Sequence, residues 1–293
     1  MASEITQNCH LPRIICREKP ADDAFGIAFC RAWRTIAAHM KRILSFFTLL
    51  LLAAFLRAED TLCYELRIYT ANEGKLAALQ ARFKDHTCKL FEKHGLTNVG
   101  YWVPVDKSDN RLIYVISSSN RAAHQKSWKA FLNDLDWKKA YKASTKDGAL
   151  VAKIDSTFMS ATDYSPAVES VITKHIRVFE LRTYTTAPGR LKNLHARFRD
   201  HTCKIFENHG MINVAYWTPM DDNKGKSNTL IYIISHYVKP ALSGTAQAKK
   251  NWKGFIGDPA WKKARAASEK DGKILAKAPH KVFMNPVDYS SIK

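Results

Sequence analysis

Long apolar runs are scarce in this sequence. The most apolar stretch, Ile43 to Leu56, covers 14 residues, short of the roughly 20 that an α-helix needs to cross a bilayer, so a retained membrane span is the minor reading. Cysteine is scarce as well. Of the six, Cys9, Cys16 and Cys30 fall early, and Cys63, Cys88 and Cys203 form neither a C-x-x-C pair nor any metal-ligand spacing. No metal site is therefore expected, and an odd set of three implies no disulfide framework, although a Cys63–Cys88 bridge stays open. Also missing are a glycine-rich phosphate loop, a Ser-His-Asp order and a paired-carboxylate motif, so nucleotide, triad and two-carboxylate chemistries find no footing. Acidic residues are outnumbered, 27 against 46 basic ones, for a formal charge of +19.

What remains is an ordinary globular composition: 293 residues, 46% hydrophobic, enough for one or two buried cores. Disordered and fibrous classes are excluded. Lys41 and Arg42, the apolar stretch, and Ala58 before Glu59 match the n-region, h-region and small cleavage residue of a secretory signal. Met40 is accordingly expected as the true start, residues 1–39 as an over-extended and disordered beginning, and residues 40–58 as a cleaved signal. The mature chain from residue 59 is then periplasmic or secreted. It keeps 38 lysines and arginines against 23 aspartates and glutamates. Because the lysines are scattered and not blocked, they read as a solvated basic surface. Nucleic acid is not an expected partner.

The strongest signal is an internal repeat. Tyr64 to Asp106 aligns without a gap on Phe179 to Asp221, with 26 identities in 43 positions. The match resumes after a short insertion: RLIYVISS answers TLIYIISH, SWKAFLNDLDWKKAYKASTKDG answers NWKGFIGDPAWKKARAASEKDG, and FMSATDYS answers FMNPVDYS. Two units follow, 59–166 and 174–293, with a linker near Pro166 to Thr173.

Each unit changes period in a readable order. YELRIYT alternates as a strand does. From Gly74 to His94 the pattern is helical, ending at Gly95 as at a C′ glycine. Two strands, NVGYWVPV and RLIYVISS, come next. A helical region follows, interrupted at Asp134, whose counterpart Asp258 precedes Pro259 as an N-cap precedes a first-turn proline. STFMSAT closes the unit. The order is βαββαβ, a ferredoxin-like α+β arrangement.

YELRxYT, then G-[KR]-L, RFxDHTxxxFExHGxxNVxYW and the D-x-x-W-K-K helix start together resemble the NIPSNAP family, over roughly residues 62–165 and 177–290. The resemblance implies a dimeric α/β barrel. With both units on one chain, the barrel is expected to close within a monomer as an internal pseudo-dimer, with a higher oligomer as the alternative. The fold is shared with haem-degrading monooxygenases, chlorite dismutases and cofactor-free oxygenases and isomerases, and fold alone transfers none of those activities.

Two sets of candidate site residues emerge. On a wheel of 100° per residue centred on Phe83, His86 falls at about −60°, at the edge of the apolar stripe. His86 and its twin His201 are therefore expected to border a cleft between helix and sheet as acid–base residues. His86 and His94 lie about 12 Å apart along the helix, too far to share a metal. No cofactor is expected, and haem held by His86 is the alternative, because relatives of this fold hold haem between helix and sheet. Along the first strand, Glu65, Arg67 and Tyr69 share one face, and Glu180, Arg182 and Tyr184 repeat them. With the apolar face given to the helices, these polar sets are expected in the space between the two sheets, lining a ligand cavity walled by Trp102 and Trp217. Trp128, Trp137, Trp252 and Trp261 are expected in the core, and Cys88 and Cys203 near the surface. The functional reading is an exported barrel protein that binds a small, acidic organic molecule, as a cofactor-independent enzyme at its most specific. The alternative is a non-catalytic scaffold or interaction module.

Overall fold

The computed structural model describes residues 62–168, 176–239 and 243–293. The leader expected over residues 1–58 lies outside these, as does the linker from residue 169.

The alternating CYELRIYTA forms β1 (Cys63–Ala71). The helix that follows is not uniform. α1 (Leu76–Arg82) runs into a π-helical turn (Phe83–Thr87) and continues as α2 (Cys88–Lys93). The Cys88 N–H bonds to the Phe83 carbonyl, an i→i+5 step that widens the turn. Thr87 ties the widened turn by donating its hydroxyl to the Arg82 carbonyl at 3.1 Å. Gly95, at φ +79°, takes the left-handed conformation that ends the helix. β2 (Thr97–Pro104), β3 (Arg111–Ser118), α3 (Arg121–Asn133), α4 (Leu135–Ser144) and β4 (Val151–Ala161) complete the first unit. Asp134 separates α3 from α4 and caps α4, its carboxylate accepting from the N–H groups of Asp136 and Trp137.

The second unit repeats the plan. It runs β5 (Arg177–Thr185), α5 (Leu191–Arg197), a π turn (Phe198–Thr202), α6 (Cys203–Asn208), β6 (Met211–Pro219), β7 (Thr229–Tyr237), α7 (Gly244–Gly257), α8 (Pro259–Ser268) and β8 (His280–Pro286). Asp258 caps α8, with Pro259 in the first turn.

Each unit is a four-stranded ferredoxin-like sheet, and the two join edge to edge. β2 pairs with β8 and β4 with β6, closing an eight-stranded barrel in the order β1-β3-β2-β8-β5-β7-β6-β4. A barrel of about eight strands is just wide enough for side chains to fill. Here Tyr64, Leu66, Trp102, Met159, Phe179, Trp217 and Met284 belong to the apolar cluster inside it. Two further clusters sit under the helices, one per unit. The ends of the units are exchanged across the barrel. Ser165, after β4, accepts from the Tyr216 N–H at 3.0 Å, and Ser290, after β8, from the Tyr101 N–H at 2.9 Å.

Closure reverses the expected facing of β1. A sealed interior is the driest place in the molecule, so Tyr64 and Leu66 take it, with Ile68 packed against them. Glu65, Arg67 and Tyr69 face the helices instead. Tyr69 packs edge-on to Phe83 at 5.9 Å between ring centres, and Glu65 meets His124 of α3. Trp102 and Trp217 lie with the apolar cluster inside the barrel, on the opposite face from the polar sets they were expected to wall.

Candidate functional site: a cleft between helices and sheet

The π turn decides what the first helix presents inward. An i→i+5 step advances each residue by less than 100°, so a uniform wheel misplaces His86 and Cys88 although it keeps Thr87 and Leu90 on the buried side. Thr87 is buried, as its place on the apolar stripe requires, whereas His86 is exposed. His201 is exposed in the same way. Neither histidine lines the cleft, which removes both from the place expected for acid–base residues and for a haem ligand. The same shift brings Cys88 and Cys203 against the helix-side clusters, where burial pushes each thiol up to about 11. All three described cysteines are free.

Arg82, the last residue of α1 before the turn, is also inside, only 5% exposed. Its guanidinium faces the rings of Trp137 and Tyr141, 5.3 Å from each centroid. Nη1 donates to Ser144 Oγ at 3.2 Å, and Nε is buried without a partner. Among the described residues no carboxylate pairs with it. Burial pulls its pKa below the usual arginine range, with only phenols nearby to oppose the shift. Arg82 lines a cavity of about 520 Å³ together with Arg67, Tyr69, Trp128, Trp137 and Tyr141. The four tryptophans expected in the core are half-buried, and Trp128 and Trp137 serve as cleft walls.

Arg67, by contrast, is neutralised. It donates to Glu65 at 2.5 Å and to Tyr69 at 3.1 Å, and stacks 4.2 Å over Trp128. Glu65, 1% exposed, also accepts from Ser156 at 2.5 Å and bonds His124 Nε2 at 2.8 Å. Burial alone would raise its pKa. The His124 hydrogen bond, the Arg67 charge and the Ser156 hydroxyl outweigh burial and hold the carboxyl below its ordinary range. Glu65, Arg67, His124, Trp128 and Ser156 line a second cavity of about 520 Å³ beside the first, and His124 Nδ1 is buried there without a partner.

The second unit rebuilds this network by another route. Glu180 accepts from Arg182 at 2.5 Å and from Trp252 Nε1 at 2.7 Å, and Arg182 stacks 4.1 Å over Trp252. The imidazole now comes from β7: His236 Nε2 lies 3.4 Å from Glu180, and its Nδ1 accepts from Asn251 at 3.1 Å. At the repeat position of His236 the first unit has Ser118, and at that of His124 the second has Ala248. One carboxylate site thus draws its imidazole from the helix in one copy and from the strand in the other. Arg197, the twin of Arg82, has an anion: Nη1 reaches Glu269 at 3.2 Å and Ser268 at 3.2 Å.

Of the residues expected from sequence, Glu65, Arg67 and Tyr69 therefore gather with one another, as do Glu180, Arg182 and Tyr184, in clefts outside the barrel. His86, His201, Trp102 and Trp217 do not join them. Sequence reasoning missed Arg82, Arg197, His124 and His236. The identical Arg-Phe pair opening both copies of the RFxDHT motif was the available signal for the arginines. Nothing in spacing marked the histidines, which occupy different repeat positions.

The NIPSNAP family pattern matches residues 64–166 and 179–291, once on each unit. The chain belongs to the NIPSNAP family. No curated protein matches it. Among solved structures it is similar to a NIPSNAP-like domain protein from Burkholderia xenovorans, at 11% identity over 40% of this chain and 98% of that one, with a TM-score of 0.34. It is also similar to a NIPSNAP family protein of unknown function from Agrobacterium tumefaciens, at 18% identity over 37% and 95%, TM-score 0.33. An anthrone oxidase-like protein aligns over 80% of this chain and 96% of its own at 11% identity, TM-score 0.50. At these identities the likeness is one of fold. No helix among the described residues is long and apolar enough to cross a membrane.

Proposed function

We propose that this NIPSNAP protein binds a small organic anion with a flat apolar body in the helix–sheet cleft of its first unit. One observation carries the reading: Arg82 is a buried cation with no anion among the described residues, facing a cavity walled by aromatic rings. A charge kept out of water without a counterion is unfavourable, and a ligand carboxylate or sulfonate would relieve it through charge-assisted hydrogen bonds. Trp128, Trp137 and Tyr141 offer faces on which a planar body stacks. A scaffold module would have no use for this arrangement.

The probe for this reading is 2-naphthoate, with neutral 2-naphthamide as control, titrated calorimetrically into the purified chain. Naphthoate should bind and naphthamide should not, and Arg82→Met should weaken naphthoate about ten- to a hundredfold, the equivalent of one charge-assisted hydrogen bond. Equal binding of acid and amide, or an undiminished Arg82→Met variant, would overturn it. The finer reading, a cofactor-independent enzyme, would use the His124–Glu65 pair on the adjoining cavity as its acid–base group. Turnover of a co-purifying ligand by the parent chain and its loss in His124→Gln, followed by mass spectrometry, decides that step.

A further inference from the structure

The two clefts descend from one plan, and they differ where the anion would sit. In the second, Arg197 Nη1 meets Ser268 Oγ and Glu269 Oε1, both at 3.2 Å. In the first, Arg82 Nη1 meets Ser144 Oγ at the same 3.2 Å and nothing anionic among the described residues. The two serines are held alike, Ser144 donating to the Tyr141 carbonyl at 3.0 Å and Ser268 to the Arg265 carbonyl at 2.9 Å. Each is therefore an acceptor for its arginine, and the frame around the guanidinium is the same. The position of Glu269 is Thr145 in the first unit, and Thr145 turns its hydroxyl back to the Tyr141 carbonyl at 2.8 Å.

A second exchange accompanies the first. Arg265, whose Nε reaches Glu269 at 3.1 Å, stands where the first unit has Tyr141, a ring against Arg82. In the second copy the carboxylate is thus pinned between two guanidiniums, and the cavity it enters is smaller, about 440 Å³ against about 520 Å³. In the first copy both charged partners are replaced by groups that leave the buried cation open and add an aromatic wall. Lys273 and Lys277 at the mouth of the second cleft are exposed, so water already serves their charge.

From this divergence we propose that Glu269 is a built-in counterion, holding in the second cleft the place that the ligand's anionic head takes in the first. The chain then carries one anion site for its two repeats, with the ligand head on Arg82 beside Thr145 and its body toward Trp128. This rests on the reading of the first cleft as an anion site and adds to it the seat of the head group and the stoichiometry.

Calorimetry with 2-naphthoate tests it on three versions of the full chain. The parent should bind one equivalent. Thr145→Glu should supply the missing counterion, raising the melting temperature without ligand and weakening naphthoate by tenfold or more. Glu269→Thr should bare Arg197 and bind two equivalents; if it melts lower than the parent, naphthoate should restore it. No binding by the parent would remove the anion site itself. One equivalent in the parent, unchanged affinity in Thr145→Glu, and a Glu269→Thr variant that neither gains a second equivalent nor is rescued by ligand would leave that site standing and overturn the counterion.

Discussion

The imidazole that reaches Glu65 from α3 can be moved to the strand, as the second unit has already done. His124→Ala removes the hydrogen bond at 2.8 Å to a carboxylate that is 1% exposed. A hydrogen bond to a charged group contributes about 1.5–3 kcal/mol. For a folded body of this size each kcal/mol shifts the melting temperature by about 2–4 °C, so the single variant should melt about 3–12 °C lower. The pH dependence should shift as well. Glu65 is held below the ordinary carboxyl pKa of about 4.3. Its stabilising contribution is therefore complete above that value and disappears as pH falls through the folded pKa. Taking away the His124 hydrogen bond moves that folded pKa upward, so acid unfolding should begin at a higher pH. Adding Ser118→His and Ser127→Asn to His124→Ala copies the arrangement of His236, Asn251 and Ala248 into the first unit. The triple variant should recover most of the lost melting temperature and return the acid limb toward the parent's. Differential scanning calorimetry between pH 3 and pH 8, with ligand absent, is the assay. A triple variant no more stable than the single one would refute the idea that the carboxylate asks only for an imidazole and not for a particular element to carry it.

His86→Gln and His201→Gln should each stay within about 0.5 kcal/mol of the parent, the usual range for surface substitutions, and should leave naphthoate affinity unchanged; a loss of binding would return these residues to the site. Residues 59–166 expressed alone should form a homodimer or aggregate, because Leu66, Trp102 and Met159 lose the other half of their cluster and two sheet edges lose their partners. Sedimentation of that fragment as a stable, well-folded monomer would contradict intrachain closure as the source of its stability. The leader proposed for residues 40–58 predicts that the protein from its native host begins at or near Glu59; N-terminal sequencing that recovers Met1 from the cytosol would remove export.

Much of this was written plainly in the sequence, and the failures have physical causes. A repeat broken by one short insertion, with strand and helix periods in βαββαβ order, leaves few folds open, and Asp134 and Asp258 announce their helix starts by chemistry alone. Which face of β1 turns inward was not legible, because alternation gives two faces without saying which side is sealed. Barrel closure through β2–β8 and β4–β6 decides that, and it depends on residues far apart in the chain. His86 failed for a local reason. The wheel assumes one turn size, and a single i→i+5 step at Phe83 moves His86 out and Cys88 inward. Arg82 was hidden by its own charge: an arginine beside an apolar stripe reads as solvated until the structure shows it buried among Trp137, Tyr141 and Ser144. The divergence at Thr145 and Glu269 was visible in the aligned repeats, but it acquires meaning only once both are seen beside the same arginine.

A crystal structure of the full chain grown with 6-bromo-2-naphthoate tests the anion cleft most directly, because anomalous scattering locates the bromine without reference to any assumed pose. One bromine peak in the first cleft, near Trp128, with the carboxylate against Arg82 and the second cleft closed by Glu269, is the expected result. A peak inside the barrel, equal peaks in both clefts, or none in the first would contradict a single anion site built on Arg82.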